Sequence, residues 1–364
     1  VRGAGLFSCD CGGSAITLQP GGAMFADELG SGLRNVEVTA LPGASVLGST
    51  LFGENSTVEF GCTSRGDLRF VLGSEAIIAG GAVERLSVFD GAEAQVLGGR
   101  IANLRWTEDA DITIVGGEFS YAGVGLTAIP DDADAGDVFT ATLADGSVLI
   151  QRVHPIDPVI SLGLDGVPLP PAIVDPIVSP AEEPPIGGLR PGQTLVLQEG
   201  ARLPADYRAV GATVEVAGGL VEEGLVVSDL DMTFSGGVLA ARGVFPQALF
   251  YRSTLRIEGG ELRPRVAARF GTTIEISGGE TDIIDIDSGS VLIAGGLVEL
   301  LDAYGDASIH ITGGTVGFVQ ANDRVAVELA GGNAGFVSFR DESALAIRGG
   351  SWPDGRGLAK TTTI

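Results

Sequence analysis

Lysine and histidine are almost absent from this chain of 364 residues, which has one lysine, Lys360, and two histidines, His154 and His310. Acid–base catalysis therefore has few candidate groups, since histidine is the side chain best suited to it near neutral pH. The net charge of −25 disfavours binding to phosphate backbones and anionic lipid surfaces. No apolar run approaches the ~20 residues of a membrane helix. We expect no nucleic-acid partner and no membrane insertion.

Glycine is in excess, with 57 residues, but it lacks the strict spacing of collagen. Instead, the string apolar-x-apolar-x-Gly-Gly recurs, mostly at steps of 18 residues, in two runs. Its first residues are Ala76, Ala94 and Ile112 in the first run, and Val214, Met232, Leu255, Ile274, Val291, Ile309, Val327 and Leu345 in the second. Looser copies begin at Ile16, Val36, Val58 and Leu195.

This repeat predicts an all-β chain built from parallel β-helices. Alternation such as Ile309-His-Ile311 is the pattern of a strand with one buried face, and the glycine pair ends each strand. An 18-residue unit cannot bury its apolar face alone, whereas stacked copies share a continuous core. An 18-residue coil is also typical of left-handed hexapeptide helices, but the six-residue repeat of apolar positions that they require is not found. We therefore predict right-handed coils.

Two modules and a linker are predicted. Residues 1–152 form an N-terminal β-helix that ends in a capping hairpin over 138–150, where Asp145-Gly146 is typical of a tight turn. Residues 153–188 hold nine of the 17 prolines and are expected to be an extended linker. Residues 189–364 form the second β-helix, and matched openings of the two runs indicate an internal duplication. No second copy of the hairpin is evident, which suggests assembly through an open solenoid end.

The three cysteines allow one disulfide with one thiol left over. We expect a bridge from Cys9 or Cys11 to Cys62, formed in an oxidising compartment. The alternative is that the cysteines are buried free thiols.

Aspartates precede many strands at similar positions, and stacked coils would align them in columns. Such a column could bind calcium through its oxygen atoms. The alternative is that aspartate suits the turn that enters each strand. No other cofactor is expected. The candidate calcium ligands are Asp287, Asp306, Asp323 and Asp341, with Asp90 and Asp109 in equivalent positions of the first run.

Arginines concentrate around the one 23-residue step of the repeat. Guanidinium groups bind carboxylates and sulfates in a forked geometry, so this region could bind an acidic polysaccharide. The alternative is local neutralisation of an acidic surface. The candidate ligand-binding residues are Arg252, Arg256, Arg263, Arg265 and Arg269, with Arg242 nearby.

Signals for an enzyme are weak. Asp285 and Asp287 share one face of a strand, as paired acid–base carboxylates must. His310 is expected to point outward, and His154 lies in the linker. No phosphate-binding loop, nucleophile elbow or metal-binding histidine pair is found.

The repeat, together with the segment Gly123 to Ser147 that contains Phe-Thr-x-Thr-Leu-Ala-Asp-Gly-Ser, resembles bacterial extracellular Gly-Gly-repeat β-helix proteins. The resemblance covers most of 58–150 and 214–358 and implies secretion without an assigned catalytic activity. We expect a non-enzymatic extracellular structural protein that self-assembles into fibres or a surface layer. The alternative is an adhesin, or a β-helix that binds or degrades polysaccharide.

Overall fold

A computed structural model gives the architecture. It describes residues 2–5, 9–25, 31–107, 109–125, 138–152, 160–163, 169–173, 175–240, 247–351 and 362–363. Within these ranges the side chains of 2–12, 31, 160–163, 247, 264 and 362–363 are not described.

The chain is all-β, and its strands pair mainly in parallel to form a β-solenoid, which confirms the predicted fold class. It divides into two compact units, Val1–Pro171 and Ala172–Ile364. Each unit has its own hydrophobic core. None of the described residues belongs to a helix that is long and apolar enough to cross a membrane. The right-handed coil stays a prediction.

The first unit contains strands β1 to β16. Their bounds are β1 Arg2–Gly5, β2 Cys9–Leu18, β3 Ala23–Phe25, β4 Ser31–Ala40, β5 Ser45–Leu47, β6 Thr50–Phe52, β7 Thr57–Phe60, β8 Thr63–Phe70, β9 Glu75–Val88, β10 Glu93–Ile101, β11 Leu104–Trp106, β12 Asp111–Tyr121, β13 Val124–Gly125, β14 Val138–Leu143, β15 Val148–Arg152 and β16 Ile160–Gly163.

The second unit contains strands β17 to β38. Their bounds are β17 Ile177–Ser179, β18 Thr194–Leu197, β19 Arg202–Leu203, β20 Arg208–Val210, β21 Thr213–Val216, β22 Leu220–Val221, β23 Val226–Ser228, β24 Asp231–Phe234, β25 Val238–Leu239, β26 Gln247–Tyr251, β27 Thr254–Ile257, β28 Glu261–Arg269, β29 Thr273–Ile276, β30 Glu280–Asp287, β31 Ser290–Ile293, β32 Leu297–Tyr304, β33 Ser308–Ile311, β34 Thr315–Ala321, β35 Ala326–Leu329, β36 Asn333–Phe339, β37 Ala344–Ile347 and β38 Thr362–Thr363.

Each coil of the second unit has three faces. The Gly-Gly strands stack into the first face, where Ile274 pairs with Val291, Val291 with Ile309, and Ile309 with Val327. The strands that follow each glycine pair form the second face with their first residues, at 261–262, 280–281, 297–298, 315–316 and 333–334, and then continue into the third face. We use "third face" for the stacked segments 265–269, 283–287, 300–304, 318–321 and 336–339.

The two glycines of each pair serve different purposes in the second unit. At Gly314 the backbone φ is +71°, which L side chains rarely adopt. At Gly313 a Cβ atom would lie 2.2 Å from the carbonyl oxygen of Ala294 on the preceding coil. The first glycine is therefore needed for close stacking of coils, whereas the second is needed for the turn as well as for stacking, since a Cβ at Gly314 would lie 2.6 Å from the Gly295 carbonyl oxygen.

The predicted capping hairpin is present in the first unit. Strands β14 and β15 pair in antiparallel fashion, and β14 also pairs with β12. The hairpin turn rests on the Gly98-Gly99 corner, where the Gly99 N–H donates to Asp145 Oδ2 at 2.7 Å and the Asp145 N–H donates to the Leu97 carbonyl at 3.2 Å. The cap is thus fixed to the corner by both backbone and side chain.

Part of the predicted linker is strand, which corrects the range 153–188. Strand β16 pairs in parallel with β12, as a further rung of the first unit. Strand β17 pairs with β18 at the start of the second. Each segment is free of proline, so its backbone keeps the donors that pairing requires. The division after Pro171 lies inside the predicted linker.

Replacing Gly98 with alanine is expected to loosen the cap. A Cβ at Gly98 would lie 2.4 Å from the Asp145 carboxyl group, which is held by its own hydrogen bonds, so the free energy of unfolding should fall by about 1–3 kcal/mol. Gly80 is the matched control because it is the first glycine of the equivalent corner, Gly80-Gly81, and a Cβ there meets nothing within 4 Å. Urea unfolding of Gly98→Ala and Gly80→Ala checks this, and equal effects would contradict the docking of the hairpin.

Candidate functional site

The candidate calcium ligands are used in turns. Asp323 and Asp341 have positive φ angles of 61° and 57°. The Gly305 N–H donates to Asp323 Oδ2 at 3.0 Å, and Asp306 accepts a 2.6 Å hydrogen bond from Arg324 that lowers the pKa of the carboxyl. Asp287 accepts a hydrogen bond from the Ser288 hydroxyl. The carboxylates therefore cap backbone and pair with arginine, as the turn alternative predicts.

The described part of the chain contains no group of three or more His, Cys, Asp or Glu side chains arranged to hold a metal ion. The calcium hypothesis gains no support from the geometry of these turns.

All five candidate arginines are paired with carboxylates, and Arg242 lies outside the described residues. The pairs are Arg252 with Asp229 at 3.0 Å, Arg256 with Glu275 at 3.3 Å, Arg263 with Glu261, Arg265 with Asp285 at 2.7 Å, and Arg269 with Asp285 at 2.8 Å. An acidic polysaccharide would have to compete with these internal carboxylates. The arrangement therefore favours local neutralisation over a ready-made anion site.

Asp285 is the centre of the most buried charge cluster on the third face. Only 2% of this residue is exposed, although its side chain points away from the core. It lies beside Ala267 on the preceding coil, and Arg265 and Arg269 flank that alanine on the same strand. Because alanine is small, both guanidinium groups close over it and meet at the carboxylate. We call Arg265, Asp285 and Arg269 the two-arginine clamp.

Asp302 extends the clamp to the next coil, where it pairs in register with Asp285. Burial is the main reason that its pKa is raised, and the charge of Asp285 adds to the effect. A hydrogen bond with the Tyr304 side chain acts in the opposite direction. Its Oδ1 atom is buried without a hydrogen-bond partner, so this carboxylate keeps unused acceptor capacity.

A similar clamp occurs in the first unit around Asp67, which is 4% exposed. Arg69 Nε lies 2.7 Å from Asp67 Oδ2, the Ser87 hydroxyl donates to Oδ1 at 2.7 Å, and an Arg85 nitrogen lies 3.9 Å away. This cluster is not among the sites predicted from the sequence. Its only signal is an acidic residue two positions before an arginine, which is too common to identify a buried pair.

Asp285 and Asp287, the two carboxylates that share one strand face, have different surroundings. Asp285 is held by two arginines, whereas Asp287 is half-buried at the next outward position of the strand. His310 is exposed, as predicted, and its Nε2 lies 3.9 Å from a carboxylate oxygen of Glu328. His154 lies outside the described residues. These groups do not converge on one centre.

Cys62 is a buried free thiol, so the structure does not contain the expected bridge to Cys9 or Cys11. Its side chain belongs to the core of the first unit, and burial raises its pKa to about 12. The thiol faces inward because it occupies a core position of the coil. The side chains of Cys9 and Cys11 are not among those described.

Comparison of the chain with family models, with characterised proteins and with solved structures gives no match. The resemblance to Gly-Gly-repeat proteins therefore stays a prediction.

The two-arginine clamp should contribute to stability because its carboxylate is buried. Asp285→Asn removes the ion-pair partner of two partly buried guanidinium groups, and we expect the free energy of unfolding to fall by about 3 kcal/mol. Asp306→Asn is the matched control because it removes a pair whose two side chains are both exposed, so little change is expected. Urea unfolding measures both, and an equal effect of the two variants would contradict the clamp.

Proposed function

We propose that this chain is a non-enzymatic structural protein that works outside the cell as a stiff element of a fibre or surface layer. The observation that supports the proposal is that many ion pairs join residues on adjacent coils. Arginine–carboxylate pairs such as Arg252–Asp229 at 3.0 Å, Arg324–Asp306 at 2.6 Å and Arg348–Glu328 at 2.7 Å join one coil to the next. The charged surface thus reinforces stacking of the coils.

Stiffness along the coil axis is what a structural role requires. Backbone hydrogen bonds between coils supply most of it, and the core beneath each face is continuous within a unit. Each exposed ion pair adds little, but a buried pair such as Asp285 with its arginines resists separation of its coils. The paired charged side chains thus serve mainly to stabilise the solenoid.

The extracellular location belongs to the proposal and rests on the resemblance to secreted Gly-Gly-repeat proteins. Adhesion is the neighbouring hypothesis, because it needs the same long and repetitive surface. Binding of an acidic polysaccharide is less favoured, since the arginines that would bind it are already paired. Polysaccharide cleavage is less favoured because Asp285 is held in the clamp.

Self-association is the expected partner interaction, and charge should control it. Copies with a net charge of −25 repel each other, and the range of that repulsion falls from about 30 Å at 0.01 M salt to about 3 Å at 1 M salt. We therefore expect ordered filaments or sheets to grow as salt is raised. Light scattering and negative-stain electron microscopy of the full chain test this. Discrete monomers at every salt and protein concentration would contradict the proposal.

A further inference from the structure

The third face of the second unit carries two parallel ladders of outward side chains in the last three of its described segments. Leu300, Phe318 and Phe336 are in register, and so are the polar residues two positions later on the same strands. We call these two ladders together the amphipathic stripe, which comprises Leu300, Phe318, Phe336, Asp302, Gln320 and Ser338. All six side chains are half-buried. The stripe crosses the strands and therefore runs along the coil axis.

The aromatic part of the apolar ladder is open on one flank. The rings of Phe318 and Phe336 are stacked with centroids 4.9 Å apart and planes 18° from parallel, so they present a ridge of ring edges. The residues before them are Gly317 and Gly335, whereas the preceding coils carry the charged residues Asp282 and Glu299 near this corner. Because Gly317 and Gly335 have no side chains, nothing at these positions covers the rings of Phe318 and Phe336.

The polar ladder is rich in hydrogen-bond acceptors. Asp302 places a half-buried carboxylate in this column, and its Oδ1 atom is buried without a partner, so a ligand gains that acceptor only by rotation of the side chain. Gln320 and Ser338 each offer an oxygen atom and a donor in the same column. Tyr304 lies next to Asp302 and hydrogen-bonds with it. A molecule that brings several hydroxyl groups in a line would match this column.

We propose that the amphipathic stripe binds a neutral, linear polysaccharide that lies along the coil axis. A pyranose ring has apolar C–H groups and hydroxyl groups at its rim, and these match the two ladders. Successive coils repeat every 4.7–4.9 Å or so, which is close to the length of one sugar unit in an extended chain. This site goes beyond the structural function and does not depend on it.

Charge selects a neutral chain over an acidic one. The protein carries a net charge of −25, whereas the charges at one end of the stripe balance, because Asp285 and Asp302 lie beside Arg265 and Arg269. The nearby cations Arg265 and Arg269 are already bound to Asp285. A uronic-acid polymer would meet repulsion that a neutral polymer avoids.

An added peptide strand is not the expected occupant. Strand β34 is hydrogen-bonded to β32 on one side and to β36 on the other, so its backbone has no free edge for strand addition. A ligand that crosses β34, the central strand of the stripe, must therefore bind to side chains there.

Calorimetric titration of the full chain with cellohexaose, mannohexaose, xylohexaose and hexagalacturonate tests the proposal. We expect at least one neutral hexasaccharide to bind more tightly than hexagalacturonate. Phe318→Ala and Gln320→Ala should each lower its affinity by about tenfold or more. Leu292→Ala is the matched control, because Leu292 is exposed on the first face, and it should leave the affinity unchanged. Thermal unfolding establishes that each variant is folded.

Three results would overturn the proposal. The first is that no neutral hexasaccharide binds to the folded protein. The second is that binding occurs but is the same in both stripe variants as in the Leu292 control. The third is a dimer, seen by analytical ultracentrifugation, that Phe318→Ala dissociates, since a second copy would then be the occupant. None of these results depends on whether the protein forms filaments.

Discussion

Parallel backbone pairing between successive coils is the constraint on which the rest of this structure depends. It fixes the neighbour of each residue as the residue one coil away, about 4.8 Å distant, whatever the side chains are. Gly313 lacks a side chain because the Ala294 carbonyl approaches there. The same register places Asp285 beside Ala267, and so within reach of two arginines. Residues in register on successive coils therefore form columns. The interactions of a side chain are determined mainly by its neighbours in the same column and in the columns beside it.

The sequence allowed the backbone to be predicted well. Each strand of the first face is marked by alternation such as Ile274-Glu-Ile276 and by the glycine pair after it. The number of residues between successive repeats equals the separation between the residues that pair in the structure. The capping hairpin followed from Asp145-Gly146 between apolar runs. These features are local in the chain, so a single sequence records them.

Contacts between outward side chains were harder to predict, because they depend on the strand register and on the conformation of each side chain. Proline count suggested that 153–188 was all linker, yet short proline-free stretches still pair as β16 and β17. The arginine-rich region was found, but its partner Asp285 lies one coil on and outside that region. The arrangement Arg-x-Ala-x-Arg at 265–269, read together with an aspartate one coil later, is the signal that would have identified the clamp.

This distinction also changes the expected ligand chemistry. Arginines counted along the sequence favour an anionic polymer, whereas in the structure the five arginines are already paired with four carboxylates, Asp229, Glu261, Glu275 and the shared Asp285. What remains on the third face is a ridge of apolar side chains beside a column of acceptors. A structural solenoid and a glycan-binding stripe are compatible, since the rigid coil is what holds the stripe in line.

Cysteine cross-linking across coils tests the register most directly. Leu292 and His310 are exposed neighbours on adjacent coils, and Glu328 lies one coil further on. A disulfide requires Cα atoms within about 7 Å, which neighbouring coils satisfy and coils two apart do not. With this register, oxidation should link the pair Leu292→Cys with His310→Cys, as detected by peptide mass spectrometry, and should fail to link Leu292→Cys with Glu328→Cys. Equal linkage of both pairs, or linkage of the second alone, would contradict it.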